Sequence, residues 1–345
     1  MGSKFTVIVP SYKGGEYLKQ CVSSVLAQTY PAFELAVLDN YSEDGTAEWL
    51  ASLGDPRIKV YTSSTALTIE QNWARALEIP KNEFITFFGH DDLMDANYLE
   101  VMDALIQKYP DAALYHAHFR FIDEAGGVIK SCRPLPPHET DAEFLKAFLT
   151  WQIDANGTGY VMRSKAYDAV GGIPHFKNLL YADHALWLML TRNSYKVTAP
   201  EECFSYRLHA TSTSSSSAWQ THLTAITQFM DFFLNFNGWS REAKQVFEKH
   251  GTDFFSTLCG DWYMVLLVQA TKRNQRLDSR VLYKYSEVLA RIAPEKAEEL
   301  RHSRTTRVRQ FINSNPLTRL MYIGYIMARY GRNHLLPTRG QTQVA

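Results

Sequence analysis

The first 110 residues alternate between short apolar runs and stretches with helical spacing. Phe5-Thr6-Val7-Ile8-Val9 is a β-branched run stopped by Pro10, and within residues 17–28 the apolar positions Leu18, Cys21, Val22, Val25 and Leu26 recur every three or four residues. Residues 33–38 predict a second strand ending at Asp39, 46–53 a short helix, 58–61 a third strand and 69–79 a helix. Residues 84–88 are apolar throughout, predicting a strand buried on both faces that leads through Gly89 into His90-Asp91-Asp92 and then a helix over 95–108. Strands alternating with helices predict an α/β fold with a mostly parallel central sheet flanked by helices. Residues 113–163 are expected to complete that sheet. From 218 onward the pattern becomes long and helical, with Leu223, Ile226, Phe229, Met230 and Phe233 on one stripe and Trp262, Val265 and Leu266 on another. The expected organisation is a domain over 1–217, in halves 1–110 and 111–217, followed by a helical C-terminal region over 218–345.

Composition adds an asymmetry. The chain of 345 residues has a formal net charge of zero, giving no bias towards nucleic acid, but residues 301–345 hold eight Arg and no Lys, Asp or Glu. The preceding 300 residues therefore carry 28 basic against 36 acidic groups, a net of −8. Cys21, Cys132, Cys203 and Cys259 are scattered without metal-ligand spacing, as expected of reduced thiols in a cytoplasmic protein. No secretory pattern is present, and no apolar run reaches the roughly 20 residues that a membrane span needs.

The candidate chemistry lies at the strand ends, where open α/β sheets bind ligands. A dinucleotide site would need G-x-G-x-x-G after the first strand, and none is present. Instead the first strand ends in Pro10-Ser11-Tyr12, offering an aromatic face for a base, and the second in Asp39, an acceptor for a base N–H or a ribose hydroxyl. The fourth ends in Asp91-Asp92, where two adjacent carboxylates are costly unless a cation neutralises them, and hard oxygen ligands suit Mg²⁺ or Mn²⁺. Together these features suit a nucleoside diphosphate derivative. The plainer alternative for the pair is a solvated loop capping the helix that follows.

The run VIVPSYKGGEYLKQCVSSVLAQTYPAFELAVLDNYSEDGT resembles the opening of family 2 glycosyltransferases, inverting enzymes of the GT-A fold. NWARALEIPKNEFITFFGHDD continues the resemblance, with His90-Asp91-Asp92 at the D-x-D type metal motif. Gly171-Gly172-Ile173-Pro174, the segment ADHALWLMLTR and Tyr206-Arg207-Leu208-His209 resemble the family's Gly-Gly turn, E-D-x-D-L-W-L-R and Y-R-x-H motifs, so the likeness runs over about residues 4–215. It implies that Pro10, Ser11, Tyr12, Asp39 and Asn72 hold the nucleoside, that Arg75 faces the base or diphosphate, and that His90 and Asp91 meet the sugar-nucleotide. It further implies Asp92 as the direct metal ligand, His209 as a candidate second ligand, Mn²⁺ or Mg²⁺ as cofactor and Asp183 as general base.

The chain departs from the pattern at Asn40, where a second Asp is usual, at His90, and at Ala182 and Ala185, which replace two acids beside Asp183. The expected activity is transfer from a UDP- or dTDP-sugar to a saccharide acceptor, lipid-linked in surface polysaccharide synthesis. A catalytically silent sugar-nucleotide-binding module and a nucleotidyltransferase are the alternatives, the latter poorly served by Lys13-Gly14-Gly15. For the Arg-rich tail the readings are a helix on the anionic cytoplasmic face of an inner membrane, an ordinary helix docked on the protein, or a homo-oligomer contact.

Overall fold

β1 (Phe5–Ser11) is buried at every position, as a β-branched strand with neighbours on both sides must be. The structure, a computed structural model, describes residues 2–154, 156–209 and 217–330. Of the serine-rich stretch 211–217, which its composition marks as a loop, residues 211–216 lie outside the described residues, as do residues 331–345 of the basic tail. After β1 come α1 (Gly15–Leu26), β2 (Phe33–Asp39), α2 (Thr46–Ser52), β3 (Ile58–Thr62), α3 (Ile69–Ala74) and β4 (Phe84–Phe87). Thr68 and Gln71 close a capping box at the start of α3, and a 3-10 turn, Arg75–Leu77, ends it. The strands lie in the order β3-β2-β1-β4, all parallel, so the carboxyl ends of β1, β2 and β4 open along one edge.

β5 (Leu93–Met94), α4 (Tyr98–Lys108), β6 (Leu114–Ile122), β7 (Val128–Ser131), β8 (His138–Thr140) and α5 (Asp141–Leu149) follow, then β9 (Tyr160–Arg163), α6 (Ser164–Ala169), α7 (Ala182–Thr191) and β10 (Tyr195–Arg207). β9 runs antiparallel between β4 and β6, and β10 runs parallel to β6 but antiparallel to β5 and β8. The mostly parallel expectation therefore describes residues up to β4, and the sheet beyond is mixed. Part of the reason is local: Asp123 Oδ1 accepts from the amides of Ala125 and Gly127, closing a tight turn that can join β6 to β7 only as an antiparallel hairpin. The helix expected from 95 starts at Tyr98, because β5 first pairs with β10, and Asn97 rather than the Asp pair stands at its cap.

Behind the site an aromatic column fixes the second half. Trp187 stacks on Tyr160 at 4.5 Å between ring centroids, and Tyr160 on His116 at 3.8 Å. Gly159, with φ of 71°, is pinned beneath the Phe204 ring, where a Cβ would come within 2.7 Å of it. Its carbonyl accepts from Tyr98 Oη at 3.0 Å.

The C-terminal helices are α8 (Trp219–Asn235), α9 (Arg241–Lys272), α10 (Ser279–Ala290), α11 (Pro294–His302), α12 (Arg304–Ser314) and α13 (Pro316–Tyr330). They pack on the sheet domain through aromatic rings. Phe254 of α9 lies 5.2 Å from Phe148 and 4.9 Å from Trp151, and Phe229 of α8 stacks on Tyr181 at 5.3 Å. Trp151 and Trp187 are thus packing residues.

Gly159→Ala forces a side chain into a left-handed backbone and against Phe204. The cost expected is about 2 kcal/mol or more, read as a lowered Tm; an unchanged Tm would contradict the described contact.

Candidate active site

The nucleoside end is built from β1 and β2. Ser11 stands in register with Asp39, both 2% exposed, and the Asn40 amide donates to the Ser11 carbonyl at 2.9 Å. Asp39 Oδ1 accepts from Ser42 Oγ at 2.5 Å. Tyr12 projects beyond the strand end with its ring half exposed and Lys13 Nζ 5.3 Å from its centroid. A flat ring next to a buried acceptor offers a face to stack on and an edge to bond.

Asn72 and Arg75, which the resemblance implies as ligand contacts, sit beneath this end and bond to protein acceptors. Asn72 Nδ2 donates to the Leu38 carbonyl at 3.0 Å. Arg75 donates to the carbonyls of Asp39 and Tyr61 and to Asn72 Oδ1, at 3.1, 2.7 and 2.9 Å. With its fork bonded to three protein acceptors, Arg75 braces the ends of β2 and β3 rather than presenting its donors to a diphosphate. The departure at Asn40 also finds its reason here. Its Nδ2 donates to the Leu67 carbonyl at 2.9 Å while its Oδ1 accepts from the Leu67 amide at 2.8 Å. A carboxylate could make only the second of these bonds.

The acidic pair is crowded. A Cβ built on Gly89 would lie 2.6 Å from Asp92 Oδ2 and 2.7 Å from Asp91 Oδ1, so both carboxylates fold over the bare glycine. Asp91 is the accessible member, its Oδ2 2.6 Å from His209 Nε2. Burial works to raise the Asp91 carboxyl, but the His209 hydrogen bond and the His90 and His209 charges outweigh it, and the net shift is downward. Asp92, 2% exposed, accepts from the Arg207 amide at 2.9 Å. Burial first, and the Asp91 charge second, push its carboxyl well above the usual range. Arg207 locks the assembly: its Nε donates to the Asp91 carbonyl at 2.7 Å, its Nη1 to the carbonyls of Asp123 and Glu124, and its Nη2 to Gln20 at 2.8 Å. His90 faces back to β1, its Nδ1 3.3 Å from the Pro10 carbonyl oxygen.

Two carboxylates and an imidazole form a donor set that suits a divalent cation, and the repulsion from Asp91, the second cause of the upward push on Asp92, is one that such an ion relieves. As they stand, Asp91 and His209 are bonded to each other and Asp92 to an amide. Among the described residues no group of three or more His, Cys, Asp or Glu is arranged to hold a metal ion.

Asp183 enters from α7, just after Tyr181, whose φ is 66°. Its Oδ1 accepts from the His184 amide at 2.8 Å and meets His184 Nδ1 at 2.7 Å. Its Oδ2 lies against Gly157, where a Cβ would come within 2.9 Å. The turn 156–158 reaches both acidic centres, because Thr158 Oγ1 accepts at 3.0 Å from the amide of Gly89, over which Asp91 and Asp92 fold. Gly157 and Gly159 make room for Asp183 and Phe204. The Tyr206 hydroxyl is pushed far up by burial, and then by the charges of Asp92, Asp91 and Asp183. Arg207 and His184 were absent from the residues singled out in the sequence. The Y-R-x-H match pointed at Arg207, whereas nothing marked His184.

Residues 6–168 match the sequence model of glycosyl transferase family 2, so this part of the chain is similar to that family. GlyG of Streptococcus pneumoniae, a glycosyltransferase, is 29% identical over 129 residues, 37% of this chain and 42% of its own. WfgD of Escherichia coli, a UDP-Glc:alpha-D-GlcNAc-diphosphoundecaprenol beta-1,3-glucosyltransferase, is 34% identical over 110 residues, 32% of this chain and 44% of its own. The matches thus span less than half the length of either relative. The crystal structure of S. aureus TarS 1–349 in complex with UDP-GlcNAc matches with a TM-score of 0.60 at 18% identity, over 95% of this chain and 93% of that one. The fold is that of the GT-A glycosyltransferases, and the likeness takes in the C-terminal helices.

Asn40→Asp, which restores the acid more usual in the family, is expected to destabilise this chain by about 1–3 kcal/mol through the lost donor to Leu67. A chemical denaturation midpoint equal to that of the parent protein would show that the Asn40–Leu67 pair does not matter.

Proposed function

We propose that the chain is an inverting glycosyltransferase that moves a sugar from a UDP- or dTDP-sugar to a hydroxyl of a lipid-carried saccharide, in assembly of a surface polysaccharide. The observation that carries this reading is the turn 156–158, which reaches the Gly89 amide beneath Asp92 through Thr158 and packs against Asp183 at Gly157. One acidic centre suits the departing diphosphate and the other the incoming hydroxyl, and a three-residue link holds them together. WfgD, named for a UDP-Glc donor and an undecaprenol diphosphate-linked acceptor, and TarS, solved with UDP-GlcNAc, support the donor and acceptor classes.

In this mechanism Tyr12 stacks on the nucleoside base, and Asp39 accepts from the base or the ribose, with Pro10 and Ser11 forming the floor. His90 and Asp91 lie next along the edge, where the sugar-diphosphate would run. Asp183 takes the proton from the acceptor hydroxyl as that oxygen attacks the anomeric carbon. The bond from this carbon to the diphosphate oxygen breaks on the opposite face, and its electron pair leaves with the nucleoside diphosphate, so the configuration inverts. His184 fixes Asp183 Oδ1 and leaves Oδ2 to receive the proton. Asp91, Asp92 and His209 are the side chains that would hold a divalent cation, Mn²⁺ or Mg²⁺, which supplies charge neutralisation on the leaving group when bound. We assign the reaction to the cytoplasmic side of a membrane, in keeping with four free buried cysteines.

Asp183→Asn should lower kcat by about 10²–10⁴-fold while the thermal shift given by the cognate donor persists. Unchanged turnover would remove Asp183 from the role of base. In a panel of sugar nucleotides with Mn²⁺, the cognate donor at 100 times its Kd should stabilise by about 2.7 kcal/mol. That gain should disappear with EDTA and in Asp92→Asn; a panel in which no sugar nucleotide raises the Tm would contradict the donor reading.

A further inference from the structure

The last two described helices are turned the unexpected way round. On α13 the positions 317, 320, 321, 324 and 325 share one face at helical spacing, and that face is turned to solvent. Val308, Phe311, Leu317, Leu320, Met321 and Tyr325 are each 50–67% exposed. The charged residue of α13 within the described side chains is on the inside: Arg319 is 6% exposed, with Nε donating to Asn274 Oδ1 at 3.0 Å and Nη1 to the Asn313 carbonyl at 2.6 Å. Tyr322 of α13, with Arg309 and Ile312 of α12, closes on Leu267, Val268 and Thr271 of α9. The packing that fixes these helices therefore uses their other faces. An exposed apolar row of this size is unusual for a surface that meets only water.

Charge identifies what would cover it. Arg304 and Arg307 are exposed and lie on the same face of α12 as Val308 and Phe311. The last acidic residue in the chain is Glu299, so neither α12 nor α13 contains an acid to neutralise them. We propose that α12 and α13 form a docking surface for an anionic lipid membrane, with the apolar row entering the headgroup boundary and the arginines meeting lipid phosphates. A symmetric pairing of two copies would bury the same row but set arginine against arginine with no acid in the segment to offset them. No helix among the described residues is long and apolar enough to cross a membrane, so the contact lies on the surface. This extends the reading of a lipid-carried acceptor, and its test involves no sugar nucleotide, so either can fail without the other.

The full-length protein is mixed with phosphatidylcholine vesicles, with and without phosphatidylglycerol, and the bound fraction is measured by flotation. Binding is expected on the phosphatidylglycerol vesicles and should weaken as salt is raised. Arg304→Ala with Arg307→Ala should reduce partitioning about five-fold per arginine. Leu320→Glu with Met321→Glu should abolish it without lowering the Tm. Three results would overturn the proposal: equal or absent binding on both vesicle types, binding unchanged in both double variants, or self-association in solution that L320E/M321E removes while vesicles capture nothing.

Discussion

Two carboxylates at the end of one buried strand cannot share a desolvated corner unless something balances them. Here the balance comes from the far end of β10: Arg207 holds the Asp91 carbonyl and, through its amide, the Asp92 carboxylate, while His209 takes the remaining Asp91 oxygen. These partners lie 115 to 118 residues from the acids in sequence. The mixed second half of the sheet brings them together, since β10 must reach the same edge as β4. Closing the sheet and assembling the acidic centre are thus one event. Loss of Arg207 would leave buried acceptors without donors as well as an uncompensated charge.

The helical extension reaches the chemistry by a second route. Trp262 Nε1 on α9 donates to Tyr181 Oη at 2.7 Å, and Phe229 of α8 stacks on the same ring. Tyr181 is the left-handed residue from which α7 begins, two positions before Asp183. The extension therefore clamps the backbone that aims the candidate base, while Trp187, one turn further along α7, donates to the Asn156 carbonyl and steadies the turn beside it. Helices that look like an appendage in sequence are part of what orients the site.

The first four strands and their helices were legible because β-branched runs and helical spacing repeat cleanly there, and the motif residues fell on the strand ends where the fold puts ligands. The later sheet was not. β10 carries Lys196, Pro200, Glu201 and Glu202, a polar interior without a strand's alternation, and its register with β6 breaks between Ala199 and Glu202, beside a proline that cannot donate. The resemblance implies Arg75 as a ligand contact, but two of its acceptors are the main-chain carbonyls of Asp39 and Tyr61, which no sequence pattern displays. His184 follows Asp183 directly, a spacing that gives no sign of a side-chain bond. It reaches the carboxylate because the first turn of α7 folds the pair together, and it stands there in a segment where Ala182 and Ala185 have taken the places of acids.

The most direct measurement is diffraction at the manganese absorption edge from crystals grown with Mn²⁺ and UDP. A single anomalous peak among the side chains of Asp91, Asp92 and His209, with the uracil against Tyr12 and near Asp39, is the predicted result. Ordered UDP whose diphosphate and metal lie away from those acids would contradict the central claim that this corner is built to receive them.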